Sequence, residues 1–166
     1  MGLAIAKLSA AHDVAGFDCG REALNTFLIK HALRNQAMQS AQTYVALEDG
    51  GAVVGYYSLA VGQVGHDQAL ERLAKGLARH PVPVMMLARL ATARSWHGKG
   101  VGSGMLKDAI LRTLQAADIA GIRAIVVHAK DPAAQTFYEH FGFTAWADNP
   151  LRLYLLIKDA RAVVGR

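Results

Sequence analysis

One stretch limits the folds open to this chain more than any other. It runs Met85–Thr92, then Ala93-Arg94-Ser95-Trp96-His97, then Gly98-Lys99-Gly100-Val101-Gly102-Ser103-Gly104. The order is an apolar strand, a short polar turn and a glycine run that opens a helix. Beyond the glycines, Met105, Ile110, Leu111 and Leu114 recur at roughly helical spacing, with Lys107, Asp108 and Arg112 between them. Glycine has no Cβ, so backbone N–H groups there can crowd a ligand. A helix N-terminus adds unpaired donors and partial positive charge, and the matching guest is a phosphate or diphosphate.

Two common phosphate loops are excluded. The Walker pattern needs Ser or Thr after Gly-Lys, and Lys99 is followed by Gly100. The fingerprint G-x-G-x-x-G fails too, since Gly98 and Gly100 lead to Ser103, and Gly100 and Gly102 lead to Met105. The tighter turn x-G-K-G-V-G fits. A glycine-rich turn before an ordinary helix is the plain alternative.

With 166 residues, 52% of them hydrophobic, the chain has material for one sizeable core, and we expect a single domain over 1–166. The net charge of +5 suits a polyanionic partner without choosing among coenzyme phosphates, nucleic acid and acidic protein. Cys19 is the sole cysteine, so an internal disulfide is impossible and a reducing compartment is expected. Met1–Ala11 is apolar but lacks the basic n-region and the long h-region expected of a signal peptide. Gly50–Gly65 is too short and too glycine-rich to span a membrane. The expectation is a soluble, cytoplasmic protein.

Taken in order, Leu3, Ile5 and Leu8 predict a first strand. Phe17–Asn25 leads into a helix that buries Leu24, Phe27, Leu28, Ala32 and Leu33 and shows Lys30, His31, Arg34, Asn35 and Gln36 to solvent. Thr43–Glu48 and Ala52–Val61 read as a hairpin closed by Glu48-Asp49-Gly50-Gly51. Asp67–Arg79 reads as a helix with Leu70, Leu73 and Leu77 inward and Arg72, Lys75 and Arg79 outward, stopped by Pro81 and Pro83. The long helix after the glycines ends near Gly121. Ile122–His128 is a β-branched run typical of a strand buried on both faces. Asp131 then caps a short helix that opens with Pro132 and ends at Gly142. Phe143–Trp146 and Leu151–Ile157 supply the last strands, and Lys158–Arg166 reads as a tail.

The segment Asp131-Pro132-Ala133-Ala134-Gln135-Thr136-Phe137-Tyr138-Glu139-His140-Phe141-Gly142-Phe143 is the second specific signal. It resembles the GNAT signature N-x-x-A-x-x-F-Y-x-x-x-G-F at Ala134, Phe137, Tyr138, Gly142 and Phe143, with Asp131 in the usual Asn position. The glycine turn resembles the GNAT diphosphate loop, Gln/Arg-x-x-Gly-x-Gly/Ala, with His97, Gly100 and Gly102 in the slots. His97 departs from Gln or Arg. The resemblance implies an α/β fold in which a central mixed, mostly antiparallel sheet is flanked by helices. It also implies an N-acetyltransferase that uses acetyl-CoA.

Phe17–Asn25, Arg34-Asn35-Gln36-Ala37 and Leu87-Ala88-Arg89-Leu90-Ala91 narrow the likeness to the GNAT toxins of type II toxin–antitoxin modules. That group acetylates the α-amino group of aminoacyl-tRNA and blocks translation. Its members are neutralised by a small ribbon–helix–helix antitoxin, meet DNA only through it, and commonly form homodimers.

Acetyl transfer needs a neutral amine, a held acetyl group and a proton for the departing thiolate. By the resemblance, Leu90, Ala91 and Thr92 offer main-chain groups to pantetheine and to the thioester oxygen. His97, Gly98, Lys99, Gly100, Val101, Gly102 and Ser103 hold the diphosphate, and Asp131 and Ala134 belong to the coenzyme site. Tyr138 is the candidate general acid, since a phenol with pKa about 10 is protonated at neutral pH. Packing beside Phe137 is the other reading of Tyr138. An α-amine with pKa about 8, lowered further by the ester of an aminoacyl-tRNA, needs no strong base. A lysine amine, with pKa about 10.4, does.

Arg89 interrupts an otherwise apolar strand, where it meets RNA phosphate or forms an ion pair. Lys30, Arg34, Lys75 and Arg79 are candidate substrate contacts on outward basic faces, or simply solvated charge. His128 reads better as an edge histidine than as a base, and Cys19 as a small buried side chain. No His, Cys or carboxylate spacing suggests a metal. Two other readings stay open: a GNAT enzyme for a small-molecule amine or a protein N-terminus, and a binding-only regulatory partner.

Overall fold

The structure is a computed structural model and describes residues 3–65, 71–76 and 80–164. Among these residues, seven strands form one sheet in the order β1-β2-β3-β4-β5-β7-β6. They are β1 Ala4–Lys7, β2 Gln42–Leu47, β3 Val53–Val64, β4 Val82–Thr92, β5 Ala124–His128, β6 Thr144–Trp146 and β7 Asn149–Leu156. β4 and β5 run parallel, whereas β1–β2, β2–β3, β5–β7 and β6–β7 are antiparallel. The mixed, mostly antiparallel α/β fold expected from the sequence is present. The chain divides into two compact units, Met1–Ala60 with Ala88–Ala109, and Val61–Leu87 with Ile110–Arg166.

In the first unit, a helical run packs its apolar side against the sheet. It comprises α1 Glu22–Thr26, a π turn over Phe27–His31 and α2 Ala32–Ala37. The Ala32 amide donates to the Phe27 carbonyl, five residues back, so the turn holds one residue more than an α turn. Every later side chain is rotated accordingly. Phe27, Leu28 and Ala32 are buried, but Leu33 is 42% exposed, which corrects the expectation that it faces inward. The inward stripe resumes at Gln36, whose Nε2 donates to the Leu8 carbonyl (2.8 Å) and whose Oε1 accepts from the Thr43 amide (3.0 Å). Phe17, Phe27, Leu28, Val45, Tyr56 and Ala91 form the heart of this core.

In the second unit, Val64, Leu73, Val82, Val84, Val126 and Trp146 form the core, with Tyr154 and Leu156 from β7. α3 covers Glu71–Ala74. The rest of the helix expected over Asp67–Arg79, Arg79 included, lies largely outside the described residues. The expected tail is instead a helix, α6 Ile157–Val164, with Ala160 and Val163 buried. An i, i+3 apolar pair gives the segment a face to bury. Its outer side pairs Asp159 with Arg72 (3.0 Å) and Arg161 with Asp118 (3.7 Å). Among the described residues, no helix is long and apolar enough to cross a membrane.

Candidate active site

The site begins where β4 ends. Leu90 and Thr92 are half-buried and Ala91 is buried. The Ala93 amide donates to the Val54 carbonyl (2.9 Å), after which the chain turns through a short 3₁₀ helix, Arg94–Trp96. His97 is exposed, and its Nε2 lies 2.8 Å from the Thr92 carbonyl. A carbonyl only accepts, so Nε2 carries the hydrogen. His97 thus ties the turn back to the strand it left.

Gly98 and Gly100 have φ of +77° and +84°, a region that side-chain-bearing residues rarely adopt. Nothing lies within 4 Å of where a Cβ on either would stand, and both glycines are exposed. α4 Val101–Ala117 follows. Its first backbone bond runs from the Gly104 amide to the Gly100 carbonyl (3.0 Å), which leaves the preceding amides without helical partners. Val101 is 1% exposed and pins the helix start to the core, and the first turn holds no acidic residue. The Lys99 ammonium lies 5.0 Å from the centre of the Trp96 ring. Amides without helical partners, a helix start and a nearby cation suit a diphosphate.

Two residues missed from the sequence stand beside this turn. The Arg94 amide donates to the Asp18 carbonyl (2.9 Å), and Arg94 Nη1 lies 3.7 Å from Asp18 Oδ2. Asp18 is itself fixed, because its Oδ1 accepts from the Gly20 amide (2.8 Å) and from Asn25 Nδ2 (3.0 Å). The Gly20 amide, then Asn25, then Arg94 hold the Asp18 carboxyl below its ordinary pKa. Asn25 also accepts from the Cys19 amide (2.8 Å). Gly20, with φ of +91°, lies under the Arg94 stem. The segment Phe17–Asn25 is therefore a locked turn that carries Arg94. With Trp96, Arg94 lines a cleft of about 410 Å³. A tryptophan between two cations just ahead of a glycine turn was the available signal.

In the second unit, Asp131 caps α5 Pro132–His140 as expected, with Oδ1 accepting from the Ala134 amide (2.8 Å). Tyr138 is 6% exposed and sets its ring against Phe137 (5.2 Å) and Phe143 (5.5 Å). Burial pushes its phenol pKa well above the ordinary value of 10.

Among the other predicted residues, Arg89 is half-buried in β4, its guanidinium 3.6 Å over the Phe27 ring. The contact seen is a cation–π one. Lys30 and Arg34 are exposed in the first unit and Lys75 in the second. His128 is exposed at the end of β5, and Cys19 is buried with its Sγ 3.6 Å from the Arg21 carbonyl.

A mixed sheet whose parallel pair includes the strand leading into an open glycine turn sets the class, an α/β protein with a glycine turn at the start of a helix. The family described as Acetyltransferase (GNAT) domain matches residues 39–145. This chain belongs to the GNAT acetyltransferase family. It is similar to the tRNA-acetylating toxin of Mycobacterium tuberculosis, 45% identical over 159 residues, or 96% of this chain and 95% of the relative. Among solved structures it is similar to the toxin AtaT complexed with acetyl-methionyl-tRNAfMet. The TM-score is 0.87 at 28% identity, covering 98% of this chain and 99% of the other. A Tyr-to-Phe variant of AtaT bound to the C-terminus of the antitoxin AtaR and acetyl-CoA gives a TM-score of 0.82 at 28% identity, covering 99% of each chain.

Proposed function

We propose that this acetyltransferase moves the acetyl group of acetyl-CoA to the α-amino group of aminoacyl-tRNA and thereby blocks translation. The observation that carries the choice of substrate is the 45% identity to a tRNA-acetylating toxin, sustained over 96% of the chain. The glycine turn, with open space beside Gly98 and Gly100 and a helix start just after it, supports the coenzyme reading.

Gly98, Lys99, Gly100, Val101, Gly102 and Ser103 receive the diphosphate, and His97 holds their turn against Thr92. Leu90, Ala91 and Thr92 present main-chain groups to the pantetheine arm and the thioester oxygen. When bound, acetyl-CoA supplies the acetyl group as a thioester. Asp131 and Ala134 fix the start of α5, the helix that carries Tyr138. Tyr138 keeps its proton at physiological pH because burial disfavours the phenolate. It gives that proton to the sulfur as the C–S bond breaks and the C–N bond forms. The amine sheds one proton to solvent, and a solvent proton restores the phenol. Arg89, Lys30, Arg34, Lys75 and Arg79 contribute positive charge toward RNA phosphates.

By the same reading the enzyme works in the cytoplasm as a homodimer. A small ribbon–helix–helix antitoxin restrains it and provides its link to DNA. The AtaT variant bound to the C-terminus of its antitoxin supports the antitoxin part of this reading. Cell-free translation tests it: the protein is expected to arrest synthesis only when acetyl-CoA is supplied. Arrest without acetyl-CoA, or none with it, overturns the reading.

A further inference from the structure

Two contacts fasten α4 to β3, and they differ in kind. Alternate strand positions share a face, so Gly55 and Tyr57 both look toward the helix. On the helix, Val101, Met105 and Asp108 share a side, being four and three residues apart. At Gly55 the fit is apolar. A Cβ there would stand 2.7 Å from Met105 Cε and 2.9 Å from its Sδ, so the helix lies close on bare backbone. At Tyr57 it is polar. The Tyr57 hydroxyl donates to Asp108 Oδ2 at 2.5 Å, in the short range of a hydroxyl on a carboxylate. Tyr57 is fully buried, and its ring stacks on Tyr44, its partner directly across on β2, at 5.1 Å and 22°. That stack fixes the ring plane and with it the direction of the hydroxyl. Asp108 is half-buried. All of these residues lie in the first unit, as does the glycine turn.

We propose that Tyr57 and Asp108 are positioning residues for the coenzyme's diphosphate, acting through α4. Buried Val101, Met105, Leu106 and Ala109 hold the helix to the core, but apolar contact is non-directional and tolerates small slides and rotations. A short hydrogen bond from a stacked ring does not. Asp108 lies seven residues after Val101, which is about 10 Å along the axis and close to two whole turns. It therefore stands in line with the helix start, and the helix between them is a stiff rod. Fixing Asp108 fixes where the amides of the first turn stand. A binding site needs its donors held to within about 0.5 Å of the productive geometry. The inference rests on the coenzyme reading above and adds to it two side chains, some two helical turns away, that set the geometry of the turn.

The test is calorimetric titration of the full chain with coenzyme A, run well below the thermal midpoint of each variant. Tyr57→Phe removes only the hydroxyl, and Asp108→Ala removes its acceptor. Each should weaken coenzyme A binding by about three- to tenfold, as one hydrogen bond contributes, with the number of sites unchanged. Asp108→Asn keeps an oxygen to accept from Tyr57 and should stay close to wild type. A merely structural role would lower the thermal midpoint or the number of competent sites, while each remaining site binds as before. Unchanged affinity in Tyr57→Phe, or Asp108→Asn as weak as Asp108→Ala, overturns the positioning role and leaves the coenzyme reading intact. Wild type that binds no coenzyme A overturns both.

Discussion

The guanidinium of Arg89 lies 3.6 Å over the ring of Phe27. Phe27 in turn stacks on Tyr56 at 6.2 Å and 22°, and the Tyr56 hydroxyl donates to the Leu24 carbonyl (2.8 Å). A strand cation, a helix ring and a second strand ring thus form one ladder in the first unit. It seats Arg89, which would otherwise be a half-buried charge in an apolar strand. Phe27→Leu keeps apolar bulk but removes the ring face. It should cost about 1–2 kcal/mol, combining a cation–π contact with lost packing. A thermal melt should show a midpoint several degrees lower; an unshifted midpoint would deny the ladder any part in stability.

Gly100 and Gly51 make a controlled pair. Their φ values are +84° and +87°, and a Cβ on either meets nothing within 4 Å. Alanine at each position should carry a similar backbone cost, about 1–2 kcal/mol. Gly51 sits in the β2–β3 hairpin, whereas Gly100 opens the proposed diphosphate turn. Calorimetric titration should show acetyl-CoA affinity falling by about tenfold or more in Gly100→Ala and holding steady in Gly51→Ala. Equal effects on both would remove the special role of the turn.

Alkaline stability follows from two buried phenols. Burial raises the pKa of Tyr56 and of Tyr138 far above the usual 10. The unfolded chain ionises them near pH 10 while the folded chain keeps both protons, so above that point the unfolded state binds fewer protons. Folding stability is therefore whole below about pH 10 and declines as pH rises beyond it, by up to about 1.4 kcal/mol per pH unit per phenol. Denaturant midpoints between pH 9 and 11 should fall in wild type and fall less steeply in Tyr56→Phe. Parallel curves would contradict the assignment.

Tyr138→Phe should separate chemistry from fold. The ring contacts with Phe137 and Phe143 need no hydroxyl, so stability should hold. Turnover should drop by about a hundredfold to ten-thousandfold with acetyl-CoA affinity unchanged, as expected when a general acid is lost. A variant that keeps wild-type turnover would reduce Tyr138 to a packing residue.

The sheet and the glycine turn were legible because their signals are local. Glycines at 98, 100 and 102 and the β-branched run before His128 state their conformations in neighbouring residues. Asp131 announced its cap by standing just before Pro132. Leu33 was misplaced because a π turn inserts one residue, and no local pattern over Phe27–His31 marks it. Residues 157–164 read as a tail because three charged residues, Lys158, Asp159 and Arg161, break up their apolar positions, and the burial of Ala160 and Val163 reveals the helix. Arg89 was noticed, but its partner Phe27 lies 62 positions earlier in the chain, and such pairings become visible only in the fold. Arg94 was missed for the same reason, since Asp18 and Asn25, which seat it, are remote in sequence.

The most direct test is mass analysis of a defined aminoacyl-tRNA pool after incubation with the purified protein and acetyl-CoA. The account predicts that the amino acid released from tRNA gains the mass of one acetyl group, located on its α-nitrogen. Unmodified aminoacyl-tRNA across the whole pool, with acetyl-CoA intact, would contradict it.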